Sequence, residues 1–99
     1  MKILITGHRG YIGSHLLSHL QENCSSETYI RGIDLKEGED IANCLPDEDF
    51  DYVFHMAALP RVNYSVEQPS YTFRHNAYVT SILLEWAKNH GVARVIFSS

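Results

Sequence analysis

The chain of 99 residues carries only two cysteines, Cys24 and Cys44, and they form neither a CxxC nor a zinc-type spacing. A disulfide framework is therefore excluded as a source of stability, and a reducing cytoplasmic setting is expected. Three prolines and six glycines without a fixed period exclude collagenous and low-complexity chains. No apolar run approaches the ~18 residues of a membrane span, so no membrane partner is expected. Met1-Lys2 leads directly into Ile3-Leu4-Ile5-Thr6-Gly7, too short for a signal-peptide core of about 7–15 apolar residues. Eight Lys and Arg stand against twelve acids and nowhere cluster, so nucleic acid is not an expected partner either. What remains is an ordinary globular composition, 44% hydrophobic and 20% charged, too apolar for disorder.

The charge is unevenly placed. Residues 34–51 hold eight acids (Asp34, Glu37, Glu39, Asp40, Asp47, Glu48, Asp49, Asp51) against Lys36. Because Ile41, Leu45 and Phe50 interrupt this tract, a solvated linking region is expected.

Hydrophobic periodicity orders the elements as strand, helix, strand, short turn, strand, long helix, strand. Lys2–Thr6 is an apolar run stopped by Gly7, as for a buried strand. Residues 11–22 place Ile12, Leu16 and Leu20 on one helical stripe beside Leu17. Tyr29–Ile33 and Asp51–Ala57 read as the next strands. Residues 58–69, with Pro60 and Pro69, form a loop, and Ser70 is the expected N-cap of a helix over Tyr71–Asn89. That helix carries Val79, Leu83 and Ala87 on one line and Tyr78, Ile82 and Trp86 on the next. Gly91 supplies its left-handed end, and Ala93–Phe97 is the fourth strand. Alternating strands and helices predict right-handed crossovers and a parallel sheet with helices on both faces. Four strands rarely cover such a sheet, so the chain is expected to be the N-terminal part of a larger domain. An apolar edge along Ala93–Phe97 then predicts self-association of the 99 residues in isolation.

The first chemical signal is Thr6-Gly7-His8-Arg9-Gly10-Tyr11-Ile12-Gly13, between the first strand and first helix. Gly7 permits the sharp turn, Gly10 a close backbone approach to a pyrophosphate, and Gly13 close packing of helix on strand. The helix N-terminus offers N–H groups and partial positive charge to phosphates. The spacing is G-x-x-G-x-x-G. The second signal is Asp34, 21 residues after Gly13 and at the end of the second strand. A carboxylate there accepts hydrogen bonds from ribose hydroxyls and repels a 2′-phosphate, which favours NAD over NADP. Arg9 argues the other way, since a guanidinium can meet a 2′-phosphate. No G-K-[ST] follows the loop, which excludes a phosphate-loop NTPase. His15 and His19 lie four apart without a third ligand in register, so no metal site is expected. His55, beside an apolar run, reads as a packed histidine rather than a base.

The chain resembles the extended short-chain dehydrogenase/reductase family, in particular its sugar-nucleotide epimerases and dehydratases of the UDP-glucose 4-epimerase type. The resemblance runs in order through the glycine loop, Gly32-Ile33-Asp34, Asp40-Ile41, His55-Met56-Ala57-Ala58, Val62 to Pro69, Asn76, Leu83-Leu84-Glu85 and Val95 to Ser99. It implies a Rossmann-type α/β fold, of which residues 1–99 supply the first four strands of an NAD(P)-binding domain. It implies cofactor contacts from Gly7, Arg9, Gly10, Tyr11, Ile12, Gly13, Asp34 and Leu35. Asp40 and Ile41 would hold the adenine, Met56, Ala57 and Ala58 would line the pyrophosphate and nicotinamide path, and Asn76 would help order the site. Val79 stands where the family has Gly, the tract from Asp34 to Asp40 is short, and His8-Arg9-Gly10 is closer to the NADP-dependent GDP-fucose synthase branch.

The implied reaction is transient hydride transfer at a sugar hydroxyl carbon of a nucleotide-sugar, by a homodimer, with a Tyr-x-x-x-Lys pair as base. No tyrosine of the chain has lysine four residues on, so the 99 residues alone are expected to be inactive. Ser99 is the candidate for the serine that orients the sugar oxygen. A keto-sugar-nucleotide reductase using NADP and a non-catalytic dinucleotide-binding module are the alternatives.

Overall fold

The computed structural model describes residues 1–34, 37–57 and 69–97. Four strands, β1 (Lys2–Thr6), β2 (Tyr29–Ile33), β3 (Tyr52–His55) and β4 (Arg94–Phe97), form one sheet in the order β2-β1-β3-β4. Every pairing is parallel. Among the described residues three helices connect them: α1 (Tyr11–Asn23), α2 (Ile41–Cys44) and α3 (Pro69–Asn89). This is a Rossmann-type parallel sheet.

Register fixes which side chains share a face, because successive residues of a strand point to opposite sides. Leu4 lies between Arg31 and Val53, and Thr6 between Ile33 and His55. On that face Leu4, Ile33 and Val53 pack with Phe50, Ile41 of α2, and Val79 and Leu83 of α3 into the core. Ile3 and Ile5 are buried on the opposite side of β1, against which α1 lies. The line Val79, Leu83, Ala87 is buried as expected, while Tyr78 faces solvent and Trp86 packs at the core margin.

The end of α3 shows local chemistry deciding a boundary. Gly91 has φ +67°. The Gly91 N–H donates to the Lys88 carbonyl (3.4 Å) and the Val92 N–H to the Ala87 carbonyl (3.0 Å), the paired bonds of a Schellman cap.

Several expectations need correction. α3 starts at Pro69, so Ser70 lies inside the helix rather than at its N-cap. Proline suits a first turn, where its missing N–H would have no helical partner. β3 ends at His55, because after the Met56 N–H bonds the Thr6 carbonyl, the Ala57 N–H turns to the Thr6 side chain. Ile12 is 57% exposed and stands off the apolar stripe of α1, where Leu16, Leu17 and Leu20 are half-buried. The one-turn helix α2 was not expected.

Nor is the acidic tract merely solvated. Asp51 accepts the Lys2 backbone N–H (2.7 Å), Asp49 pairs with His90 (3.0 Å), and Glu48 with the Lys2 ammonium (3.4 Å). Within the same segment the Pro46 carbonyl accepts the Trp86 indole N–H (2.8 Å). Exposed pairs of this kind contribute little energy each. Together they fix the path from α2 to β3 against the start of β1 and the end of α3.

Candidate functional site

In sheet order, β1 has β2 on one side and β3 on the other, so the strand order reverses between β1 and β3. Open parallel sheets bind ligands at such a point, beyond the carboxyl ends of the strands. The glycine loop after β1 and the Met56-Ala57 segment after β3 meet there.

The three loop glycines do different work. Gly7 has φ +76°, and a Cβ there would sit 2.8 Å from the Ala57 nitrogen, so the Met56-Ala57 segment after β3 passes too close for any side chain. A Cβ on Gly13 would lie 2.0 Å from the Gly7 carbonyl oxygen. The atom that forbids a side chain at Gly13 thus belongs to the loop, not to the strand. Gly10 is unlike both. Its φ of −76° and ψ of 172° suit any residue, and a Cβ would meet only the Gly7 oxygen, at 3.4 Å. Among the described residues nothing requires glycine there, which is the arrangement expected where close approach of the backbone to a ligand is the constraint.

α1 begins beside this opening. Among the described residues no side chain caps it, and no acid occupies its first turn. Its N–H groups and partial positive charge therefore suit an anion such as a pyrophosphate. Tyr11 and Ile12 flank this end and are 82% and 57% exposed. Asp34 is buried at the end of β2, and its carboxylate accepts the Arg9 backbone N–H at 2.8 Å. That bond ties the second strand to the glycine loop and brings the two sequence signals into one site.

Behind the loop lies a polar chain that sequence patterning did not reveal. Thr6 is fully buried, and its hydroxyl lies 2.7 Å from His55 Nδ1. The same oxygen accepts the Ala57 N–H at 3.3 Å, and His55 Nε2 lies 3.5 Å from the Thr80 hydroxyl of α3. One assignment satisfies each group: Thr6 donates to Nδ1, and Nε2–H points to Thr80. His55 is thus a satisfied core histidine. Burial lowers its pKa below the usual 6.5, because the imidazolium would lose its hydration.

The sign of the resulting pH dependence follows. Unfolded, His55 takes up its proton near pH 6.5, before the folded protein does. Its contribution is complete above that value and is lost as pH falls toward the lower folded pKa. Denaturant unfolding of the full-length protein is expected to show stability falling below about pH 6.5, and less steeply in His55→Gln. Equal slopes in the two proteins would refute the buried neutral assignment.

Of the other expected site residues, Met56 and Ala57 lie half-buried at the end of β3, and Asn76 is half-buried on α3. Asn76 and Thr80 line an open depression on α3 with Ala77, Ser81 and Leu84. Asp40 precedes α2, while Ile41 is 6% exposed and packs in the core. Leu35, Ala58 and Ser99 lie outside the described residues.

Sheet order, glycine loop and the acidic end of β2 follow the pattern of a Rossmann-type fold. The chain belongs to the NAD-dependent epimerase/dehydratase family, whose sequence model it matches over residues 3–99. It is 32% identical over 116 residues to a UDP-glucose 4-epimerase of Halalkalibacterium halodurans, a match covering 100% of the chain and 34% of that relative. A crystal structure of UDP-glucose 4-epimerase with UDP-glucose from Thermotoga maritima is similar at TM-score 0.78 and 31% identity, covering 100% of this chain and 38% of that one. A UDP-glucose 4-epimerase from Stenotrophomonas maltophila, with bound NAD and formylated UDP-arabinopyranose, is similar at TM-score 0.78 and 26% identity, covering 100% and 37%. The chain thus spans about a third of the length of the relatives it matches. Among the described residues no helix is long and apolar enough to cross a membrane.

Proposed function

We propose that the full-length protein is a sugar-nucleotide epimerase or dehydratase using NAD(H), acting as a homodimer on a nucleotide-sugar, with residues 1–99 supplying the first part of the cofactor site. The carrying observation is the glycine loop closed onto the ends of β1 and β3 and hydrogen-bonded through Arg9 to Asp34. When bound, the nicotinamide supplies reversible acceptance of a hydride from the sugar carbon. The α1 N-terminus receives the pyrophosphate, and Gly10 leaves room for its approach. Asp34 accepts the ribose hydroxyls while keeping Arg9 in place. Met56 and Ala57, anchored through Thr6, form the wall on the β3 side, and Ala58 is assigned to the same path by the family resemblance. Asp40 and Ile41 are assigned to the adenine end, and Asn76 to ordering the site from α3. Ser99 is assigned to orient the sugar oxygen, and a Tyr-x-x-x-Lys pair outside these residues to move the proton.

Titration of the full-length protein with NAD⁺ and NADP⁺ tests the cofactor. NAD⁺ is expected to bind more tightly, and Asp34→Asn, which keeps an acceptor for the Arg9 N–H, to narrow the difference. Tighter NADP⁺ binding by the unaltered protein would overturn the assignment. It would favour the second reading, an NADP-dependent keto-sugar-nucleotide reductase, for which Arg9 in the loop is the supporting observation.

A further inference from the structure

We propose that Glu37 is a specificity-determining residue, which selects NAD over NADP by holding the Arg9 guanidinium in an ion pair beside Asp34. The inference rests on the dinucleotide site proposed above and assigns to it a residue that neither the glycine pattern nor the acid at the end of β2 identifies.

Glu37 spans two loop side chains, His8 and Arg9. One carboxylate oxygen, Oε1, lies 2.7 Å from His8 Nε2, and the other, Oε2, 3.6 Å from Arg9 Nη1. Its position is fixed by the turn that follows β2. The Glu37 and Glu39 N–H groups both donate to the Asp34 carbonyl, at 2.9 and 3.2 Å, and Gly38 completes the turn at φ +77°.

His8 is equally fixed. Its ring lies so close over Gly32 of β2 that a Cβ at that position would be 2.3 Å from His8 Cγ. The side chain is 13% exposed, and its Nδ1 is buried without a hydrogen-bond partner among the described residues. The packed ring aims Nε2–H at Glu37. Gly32, His8 and Glu37 thus form a strut that carries a carboxylate to Arg9.

Arg9 is held by its backbone N–H at Asp34 and by its guanidinium at Glu37. The consequence for a ribose is chemical. Hydroxyls donate to carboxylates, so a 2′-hydroxyl is served by this acidic surrounding. A 2′-phosphate is an anion of nearly two charges, and it meets Asp34, Glu37 and a guanidinium already compensated. The arginine that otherwise matches a phosphate bidentately is engaged elsewhere. Arg9 and Glu37 are 56% and 40% exposed, so a ligand can reach both.

Calorimetric titration of the full-length protein with NAD⁺ and NADP⁺ tests this. In Glu37→Gln, NADP⁺ affinity is expected to rise about tenfold relative to NAD⁺, because one charged hydrogen-bonding group is released to the phosphate. Glu37→Ala must move the ratio the same way, and Arg9→Ala added to Glu37→Gln must cancel the gain. An unmoved ratio, or a gain that survives without Arg9, overturns the role of Glu37 while leaving NAD⁺ binding by the unaltered protein as the measure of the site itself. Failure of the unaltered protein to bind either dinucleotide overturns both.

Discussion

Gly13→Ala is expected to lower the stability of the full-length protein by about 3 kcal/mol and to remove measurable NAD⁺ binding, although it adds a single methyl group. The added carbon would sit 2.0 Å from the Gly7 carbonyl oxygen, a backbone atom that cannot swing aside. Gly7 is itself held. Its N–H donates to the Ile33 carbonyl at 2.7 Å, its carbonyl accepts the Gly10 N–H at 3.1 Å, and the Met56-Ala57 backbone lies where a side chain on it would go. Relief must come from α1 moving away from the loop, and that withdraws the N–H groups proposed to receive the pyrophosphate. Gly10 gives the control. Gly10→Val should leave thermal unfolding nearly unchanged, because among the described residues its Cβ would meet only the Gly7 oxygen, at 3.4 Å. Its NAD⁺ affinity should fall about tenfold to a hundredfold, since the side chain enters the space kept for the ligand. Thermal unfolding and calorimetry of both variants separate the two roles. Equal stability losses at the two positions would show that Gly10 serves the fold rather than a ligand.

That contrast bears on what a sequence can disclose. The pattern G-x-x-G-x-x-G was legible, and so was the placement of Asp34, because both follow from elements next to them in the chain. β1 and β2 fall at their expected bounds for a similar local reason: β1 is a short apolar run stopped by Gly7, and β2 ends where Asp34 follows Ile33. Which atom excludes a side chain at Gly13 was not legible, since Gly7 lies six residues away across a turn. The bond from Arg9 to Asp34 spans 25 residues, and the ion pair to Glu37 depends on how a turn outside the strand is closed. Glu37 therefore looked like one more acid in a solvated tract. Ile12 matched the apolar period of α1 yet faces solvent, because the period fixes a direction around the helix axis and not whether the sheet extends that far.

The other large effect is expected at Thr6. Thr6→Val keeps the shape of the side chain and removes its hydroxyl, leaving His55 Nδ1 and the Ala57 N–H without the partners they have at 2.7 and 3.3 Å. Leaving a buried donor or acceptor unpaired costs about 1–3 kcal/mol, so the variant should lose about 2–4 kcal/mol of stability. The loss should also reach the cofactor site. The Ala57 N–H is where β3 leaves the sheet ladder, and the hydroxyl of Thr6 directs that departure past Gly7. Without it the Met56-Ala57 wall is free to adopt a different path, and NAD⁺ binding should weaken together with stability. Thr6→Ser restores the hydroxyl at the cost of one methyl group, about 1 kcal/mol by transfer and cavity terms, and should recover binding. Urea unfolding and calorimetry of the two variants test the argument. A valine variant that is as stable as the serine variant and binds NAD⁺ equally well would show that packing at Thr6, rather than its hydrogen bonds, holds the end of β3 in place.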